Sequence, residues 1–234
     1  MFAGFTPAAT GFLADLAANN ERAWFLDNKP RYERDVVAPY RALLGAVSLG
    51  LAAREIPLGA DPAKALFRIH RDVRFSKDKR PYKTNAGAVL ARDGGKSPDN
   101  GIVYIHLDPT GCFIAAGFYM PEPAKLGAIR EAIYVEPERF AAVLEGLAES
   151  GLELSAEDRL TRLPRGYEEA AGKPMADWLR LKSFLIRKPV PDALMFSPDL
   201  VGEVVEFAEA ALPFLRFGWA ALSTVDPADL KRRK

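Results

Sequence analysis

The chain has 234 residues and a formal net charge of +1, and 49% of its residues are hydrophobic and 27% charged. A chain of this length can bury roughly 70% of the surface that its unfolded form exposes, so it can build a globular core. No apolar run approaches the roughly 20 residues that span a bilayer, which argues against a membrane protein.

The first third of the chain carries helical patterns. Pro7 at a first helical position and the apolar spacing that follows predict a helix over residues 7–19. A second, short helix is predicted from residue 20, and a longer one over residues 30–51. Pro39 interrupts the longer helix, so we expect a kink or break there.

The middle of the chain changes to the period of β-strands. Residues 67–75 alternate between apolar and polar side chains, which predicts a strand with one polar face. Further strands are predicted at residues 85–91, 102–107 and 112–119. The turn sequence DPTG at residues 108–111 joins the last two strands into an antiparallel hairpin.

The last part of the chain returns to helical patterns. In order, it predicts helices at residues 121–133, 137–149 and 174–181, a strand at 183–188, and a C-terminal helix that opens at Ser197-Pro198 and is broken at Pro213. The sequence has no internal repeat and no low-complexity linker. We therefore predict one α+β domain at residues 1–226, a mainly antiparallel sheet covered by N-terminal and C-terminal helices, and a solvated basic tail at residues 227–234.

The cysteine and histidine content and the N-terminal sequence indicate the cellular compartment and whether a metal site is expected. The single Cys112 permits no internal disulfide, and with only His70 and His106 it leaves no Cys/His zinc set. The N-terminus lacks a basic n-region and carries Asp15 within its apolar stretch, so we expect no signal peptide. These features favour a reducing cytoplasm and predict no metal and no cofactor.

Positive charge is concentrated in residues 64–83. This stretch holds eight Lys or Arg and two Asp, a local net charge of +6, whereas the rest of the chain sums to about −5. One face of the predicted strand carries Arg68, His70, Asp72 and Arg74, about 6.6 to 7 Å apart. Such a row can bind an anion with more than one charged group, because Arg offers planar bidentate donors to phosphate or carboxylate.

Arg71 falls on the otherwise apolar face of the same strand. A buried guanidinium is costly unless it is paired, so this position indicates an internal ion pair, although a bulge could equally turn Arg71 outward. Residues 76–83 predict a turn, stiffened by Pro81, that could close over a ligand. The alternative is that these cations pair with nearby acids, because charged strand faces are usually solvated or salt-bridged.

The predicted site draws on three stretches of the chain. Its candidate ligand-binding residues are Arg68, Arg71, Arg74, Ser76, Lys77, Lys79, Tyr82 and Lys83, with Arg165, Tyr167 and Lys182 from two later stretches for which plain surface charge is the alternative. His70 and Asp72 are the candidates for proton transfer. His106 shares a strand face with Tyr104 and joins them if that strand neighbours the first.

Five stretches of the chain resemble one known family. They are NNERAWFLDNKPRYE (residues 19–33), FRIHRDVRFSKDKRPYKTNAG (67–87), GFYMPEP (117–123), LPRGYE (163–168) and LRLKSF (179–184). In these stretches the chain resembles an uncharacterised bacterial and fungal family, catalogued as domain of unknown function 2461. The resemblance implies a single conserved domain and supplies no activity. It also places the family's characteristic polar positions on Trp24, Asn28, Tyr32, Arg68, Arg71, Asp72, Arg74, Ser76, Lys77, Asp78, Lys79, Pro81, Tyr82, Lys83, Arg165, Gly166, Tyr167, Lys182 and Phe184.

The sequence departs from the family pattern at one point. After the Gly of LPRGYE the family usually continues with an acid and a His-Pro pair, whereas residues 168–174 here read EEAAGKP. Nucleotide-binding and hydrolase signatures such as GxxxxGK[ST], GxGxxG, GxSxG and HExxH are absent. Gly94-Gly95-Lys96-Ser97 lacks the first glycine of a phosphate loop, and no helical pattern follows it.

We first expect a protein that binds a phosphorylated or carboxylated small molecule. The alternatives are an enzyme that acts on such a substrate, a nucleic-acid-binding module in which Phe75 and Tyr82 interleave with the cations, and a purely structural domain. We expect no membrane partner. The residues do not specify an oligomeric state.

Overall fold

The structure, a computed structural model, describes residues 2–226 and 228. Its elements in chain order are α1 (Pro7–Ala18), α2 (Arg22–Tyr32), a π-helical turn (Glu33–Val37), α3 (Ala38–Ala53), β1 (Ala86–Ala91), β2 (Ile102–Leu107), β3 (Cys112–Phe118), α4 (Pro123–Val135), α5 (Pro137–Glu149), α6 (Ala176–Leu179), β4 (Phe184–Val190), α7 (Asp192–Met195) and α8 (Leu200–Leu222). The predicted tail, residues 227–234, lies outside the described residues apart from residue 228.

Within the described residues, the four strands form one antiparallel sheet in the order β1-β2-β3-β4. The predicted α+β fold class is confirmed. The hairpin predicted around the DPTG turn is also confirmed, since the Gly111 N–H donates to the Asp108 carbonyl at 3.1 Å between β2 and β3. Each strand predicted after residue 80 is present to within two residues at either end.

The chain divides into two compact units. The first comprises Met1–Lys96, Val103–Ile114 and Lys188–Phe207, and the second comprises Ser97–Ile102, Ala115–Arg187 and the chain from Ala208 onward. Four of these elements, β2, β3, β4 and α8, contribute residues to both units.

The core of the first unit centres on Tyr40 of α3. Its side chain is fully buried, and its hydroxyl lies 3.0 Å from the Ala86 carbonyl and 3.3 Å from the Ile105 carbonyl. The ring of Phe5 packs edge-on against it, with centroids 4.9 Å apart. A buried hydroxyl needs a partner, and these carbonyls on β1 and β2 fix α3 against that part of the sheet.

The irregularity expected at Pro39 is the π-helical turn at Glu33–Val37. Proline has no N–H and its ring clashes with the carbonyl four residues earlier, and a wider π turn just before it relieves both problems. The helical path therefore continues from Arg22 to Ala53, long and apolar enough to span a membrane by those two measures. Its apolar face, including Leu43 and Val47, is buried inside the protein, as in the core helix of a soluble protein.

The helix break predicted at Pro213 is wrong. Helix α8 continues through this proline as far as Leu222. Its neighbours in the second unit, including Phe214, Leu215 and Phe217, are buried, and the rings of Phe140 and Phe217 are 5.1 Å apart. Burial of these large side chains offsets the cost of about 3 kcal/mol for an internal proline.

The strand predicted at residues 67–75 is also wrong. Around this segment the structure has only isolated bridges, Leu66 with Ala88 and His70 with Tyr82. We call residues 66–88, which end in the first residues of β1, the basic hairpin. Lys83 N–H donates to the Ile69 carbonyl at 2.8 Å near its base. Beyond residue 71 the alternation buries nothing, and Phe75 is 96% exposed. Without a core to face, a period of two does not produce a strand.

Candidate functional site

The base of the basic hairpin is held by Asn20. The Asn20 side-chain amide donates to the Tyr82 carbonyl at 3.1 Å and accepts from the Tyr82 N–H at 3.0 Å. The Tyr82 ring is buried, stacks on Phe25 with centroids 4.3 Å apart, and lies 5.0 Å from the ring of His70. Tyr82, a predicted ligand-binding residue, therefore anchors the hairpin, while His70 remains exposed at its edge.

Arg71 forms the ion pair expected from its position. Its Nη1 lies 2.6 Å from Asp78 Oδ2, and its Nη2 lies 3.5 Å from Ser76 Oγ. Arg80 binds the same carboxylate through Nε and Nη2, at 3.0 and 2.8 Å. Hydrogen bonds from Arg80 and Arg71 hold the pKa of Asp78 well below its usual range. Arg71, Ser76 and Asp78 thus close the turn at the end of the hairpin.

Asp72 and Arg74 form a second local pair. Arg74 Nη2 lies 2.7 Å from Asp72 Oδ2, and its Nε lies 3.0 Å from Oδ1. The hydrogen bonds from Arg74 lower the pKa of Asp72, so this carboxylate is ionised at neutral pH. In proton transfer Asp72 would therefore start as a base.

The alternative that the cations of this stretch pair with nearby acids applies to Arg71, Arg74 and Arg80.

The tip of the hairpin combines an exposed aromatic ring with cations. The Arg74 guanidinium lies 5.9 Å from the centre of the Phe75 ring. Lys79 Nζ donates to the Val73 carbonyl at 3.1 Å, and Lys77 makes no contact of this kind with the described residues.

Three cations lie on or next to Phe67, near the base of the hairpin. Two of them, Lys83 and Lys96, have no carboxylate partner among the described residues, whereas Arg68 helps to lower the pKa of Asp72. The ammonium groups of Lys83 and Lys96 lie 5.5 and 5.9 Å from the centre of the Phe67 ring. Lys96 also donates to the Leu66 carbonyl at 2.7 Å. Arg68 is close enough that its charge contributes to lowering the pKa of Lys83. We call Phe67, Arg68, Lys83 and Lys96 the Phe67 site.

A polar and aromatic strip of the sheet adjoins the Phe67 site. The ring of Tyr104 lies 6.2 Å from that of Phe67, and its hydroxyl lies 2.9 Å from His106 Nδ1. His106 stacks on Phe113 at 4.3 Å, and its Nε2 lies 3.7 Å from Asp108 Oδ2. Tyr104 therefore lies beside Phe67, and His106, which the sequence places on the same strand face, contacts Tyr104.

Glycine at position 87 makes room for this arrangement. A Cβ on Gly87 of β1 would lie 2.2 Å from the Tyr104 hydroxyl oxygen. The Tyr104 side chain therefore lies across β1 where any other residue would displace it. Burial, with a smaller contribution from Asp108, raises the pKa of Tyr104 to about 12, so its hydroxyl remains a hydrogen-bond donor.

Burial also shifts the pKa values of the two lysines. It lowers the pKa of Lys83, to which the charge of Arg68 adds, and it lowers the pKa of Lys96. Both ammonium groups are therefore less stable in the folded chain than in water. A nearby anion would reverse this effect.

Arg165, Tyr167 and Lys182 lie in the second unit. Lys182 Nζ pairs with Asp158 Oδ1 at 2.8 Å, and the Tyr167 hydroxyl donates to Glu131 Oε2 at 3.1 Å. Arg165 is exposed. Among the residues that the structure describes, no group of three or more His, Cys, Asp or Glu could hold a metal ion.

Sequence reasoning missed Phe67 and Lys96 as site residues. The alternation at residues 67–75 places Phe67 on the apolar face of a strand that does not form. Lys96 lies in the GGKS sequence, which is not a phosphate loop, and no local pattern links it to Lys83. The hydrogen bond from Phe67 N–H to the Gly87 carbonyl, 2.9 Å long, shows that pairing along the hairpin brings this ring to the sheet.

Comparison with known proteins identifies the family. Residues 8–217 match the model of a conserved hypothetical protein family, DUF2461. The match covers most of the chain, so the chain belongs to this family. No curated protein and no solved structure shows a significant match.

Proposed function

We propose that this member of the DUF2461 family binds a small phosphorylated or carboxylated molecule, and that the Phe67 site holds its anionic group. The observation that carries the proposal is the placing of Lys83 and Lys96 on one ring, neither of them with a carboxylate partner among the described residues, and with Arg68 close to Lys83. The charges of Lys83 and Arg68 repel each other, and the partial burial of both lysines is a further cost. An anion bound there would offset both the repulsion between the charges and the cost of burying them.

The chemistry of the surroundings supports a small organic anion. The Phe67 ring offers an apolar surface, and Tyr104 offers a hydroxyl at its edge. Small-molecule sites in proteins typically combine apolar walls with a few polar groups that fix orientation. Arg68 supplies a planar donor, and the two lysines supply point charges for a phosphate or carboxylate group.

Thermal unfolding with inorganic phosphate and with succinate tests this proposal. At about 100 times its dissociation constant a ligand stabilises the folded state by about 2.7 kcal/mol, which raises the Tm of the wild type by about 5 °C or more. We expect the Lys83→Met/Lys96→Met variant to show a smaller rise than the wild type. Lys64→Met is the matched control, because Lys64 is exposed and pairs with Asp61 at 3.2 Å.

The outcome separates specific binding from a general salt effect. If the double variant and the Lys64→Met control respond to both anions as the wild type does, the Phe67 site is not an anion site. If the wild type responds to neither phosphate nor succinate, the proposed ligand class is wrong.

Binding of single-stranded nucleic acid is a second candidate, supported by the tip of the basic hairpin. An aromatic ring that is 96% exposed is available for base stacking, and Arg74, Lys77 and Lys79 surround it in the sequence. Tyr82 does not take part as expected, because its ring is buried on Phe25. Of the two rings that interleave with the cations in the sequence, Phe75 is the one left exposed for stacking on a base.

Binding to a short oligo(dT) or oligo(U) strand checks this candidate. Phe75→Ser should weaken binding by about fivefold or more, since stacking contributes about 1 to 3 kcal/mol per base. Tyr119→Ser, which removes another exposed aromatic ring, should leave binding unchanged. Undetectable binding, or binding that does not weaken as salt is added, would exclude this function.

Catalysis by His70 or Asp72 and residence in the cytoplasm remain parts of the proposal. His70 lies at the exposed edge of the hairpin, and Asp72 is already bound to Arg74. Cys112 is buried and unbridged, which is compatible with a reducing compartment.

A further inference from the structure

Arg130 of α4 is a buried cation that no carboxylate pairs with among the described residues. Only 9% of the residue is exposed. Its Nη2 donates to the Leu181 carbonyl at 2.8 Å, and its Nε is buried without a hydrogen-bond partner. The nearest acid in sequence, Glu131, accepts instead from the Tyr167 hydroxyl.

Such an arrangement is unfavourable without a further partner. A guanidinium keeps its charge under all physiological conditions, so it cannot escape burial by releasing a proton. One neutral carbonyl does not balance a full positive charge. Burial lowers the pKa of Arg130, which reports the same cost.

The surroundings of Arg130 offer further polar groups. Tyr167 is close enough to interact with it electrostatically, and the Tyr167 ring packs edge-on against Tyr134 at 5.4 Å. Tyr167 lies in an irregular stretch of chain between α5 and α6, where Gly166 has a φ of +92°. The side chain of Tyr167 is held by a hydrogen bond to Glu131 and by this ring contact, so its hydroxyl lies near both the Arg130 guanidinium and the Glu131 carboxylate.

We propose that Arg130 anchors a second anion site, in the second unit, where its Nε and Nη1 bind the carboxylate or phosphate group of a small molecule beside Tyr167. These are the two nitrogens of the guanidinium that make no hydrogen bond to the described residues. Arg binds such groups through paired N–H donors, and Nε together with a terminal nitrogen provides them. The site is distinct in its residues from the Phe67 site and does not depend on it.

The test uses the Lys83→Met/Lys96→Met chain as the parent, so that the Phe67 site does not contribute. Binding of inorganic phosphate and of succinate is measured by calorimetry, and thermal unfolding is followed without any anion. We expect Arg130→Met to weaken binding of the preferred probe by roughly tenfold or more, because it removes both donors. Its Tm without anion should equal or exceed that of the parent, because an unpaired buried charge has been removed.

Two further variants keep the test decisive. Arg139→Met removes an arginine of the same unit that pairs with Glu136, and it should bind both probes as the parent does. Arg130→Lys keeps the charge but not the paired donors, and we expect it also to weaken binding by about tenfold. If Arg130→Met does not fold, the binding measured for Arg130→Lys still tests the proposal.

Two results would overturn the proposal. One is a parent chain that binds neither phosphate nor succinate. The other is an Arg130→Lys variant that binds both probes as tightly as the parent, together with a lower Tm for Arg130→Met, because Arg130 would then only support α4. The proposed function at the Phe67 site is judged separately, by comparing the wild type with the double lysine variant.

Discussion

Asn20 and Tyr82, 62 residues apart in the chain, are joined through two hydrogen bonds between the Asn20 side chain and the Tyr82 backbone. The amide of Asn20 therefore occupies the place that a neighbouring strand would take. Because Tyr82 stacks on Phe25, this contact fixes the base of the basic hairpin to α2.

Replacing Asn20 should loosen the hairpin and destabilise the protein. Asn20→Ala leaves a partly buried N–H and carbonyl without partners, and we expect a loss of about 1 to 3 kcal/mol in the free energy of unfolding. Urea denaturation measures this loss. Asn19→Ala is the control, because exposed Asn19 bonds only within α1 and its substitution should cost less than about 0.5 kcal/mol.

Lys125 and Asp99 form a buried ion pair in the second unit. Lys125 Nζ lies 2.7 Å from Asp99 Oδ2, and both side chains are less than 15% exposed. Lys125→Met leaves the Asp99 carboxylate buried without its counter-charge, so we expect it to cost about 3 kcal/mol at neutral pH. Adding Asp99→Asn should recover most of this loss. A double variant no more stable than Lys125→Met would show that the lysine acts through packing alone.

The same pair predicts a pH dependence. Burial raises the pKa of Asp99, but hydrogen bonds from Lys125 and Ser97 outweigh it, and the pKa lies below the usual 3.8. The pair therefore stabilises the fold above about pH 4 and loses this effect as pH falls through the lowered pKa. In Lys125→Met the Asp99 carboxylate protonates more readily. The loss of stability of this variant relative to the wild type should therefore shrink between about pH 7 and pH 4. If urea titrations give the same loss of stability at both pH values, the prediction is contradicted.

Gly117 of β3 should not tolerate a side chain. Its φ is +131°, and a Cβ there would lie 2.0 Å from the Phe184 carbonyl oxygen of the neighbouring strand β4. Strained backbone and overpacking together predict a loss of about 3 to 5 kcal/mol for Gly117→Ala. Gly127→Ala in α4 meets no atom within 4 Å and should stabilise the protein by up to about 1 kcal/mol. Thermal unfolding of the two variants should therefore shift in opposite directions.

The lowered pKa of Lys83 predicts that anion binding and stability respond oppositely to alkaline pH. Between the lowered pKa and the ordinary 10.5, the unfolded chain holds more protons than the folded chain, so the stability of the unliganded protein rises with pH. Sulfate affinity should fall over the same range, because the anion needs charged lysines. Tyr104, whose pKa is about 12, does not titrate there.

Calorimetric titration with sulfate from about pH 7 to about pH 10 measures this change. The Lys83→Arg/Lys96→Arg variant is the control, since guanidinium groups keep their charge and its affinity should stay nearly constant. A wild type whose sulfate affinity is equally constant would show that the two lysines do not contribute charge to binding.

The sequence by itself determined most of the local structure, since the apolar period and the turn residues act over a few neighbours. The helix at residues 137–149 and the hairpin turn at Asp108-Pro109-Thr110-Gly111 follow directly from such patterns. Arg71 forms an ion pair with Asp78, although the apolar strand face from which we expected such a pair does not form. The same local rules gave the wrong result at Pro213, where burial of neighbouring side chains outweighs the cost of proline.

Only the tertiary structure decided which cations have a carboxylate partner. Arg74 and Lys83 look alike in sequence, yet one meets Asp72 and the other meets Phe67 beside Lys96. Arg130 gave no signal at all, because nothing in the sequence of α4 shows that its guanidinium is buried. Charge is a property of the residue, but its energy depends on burial and on partners distant in the chain, and only the folded chain sets these.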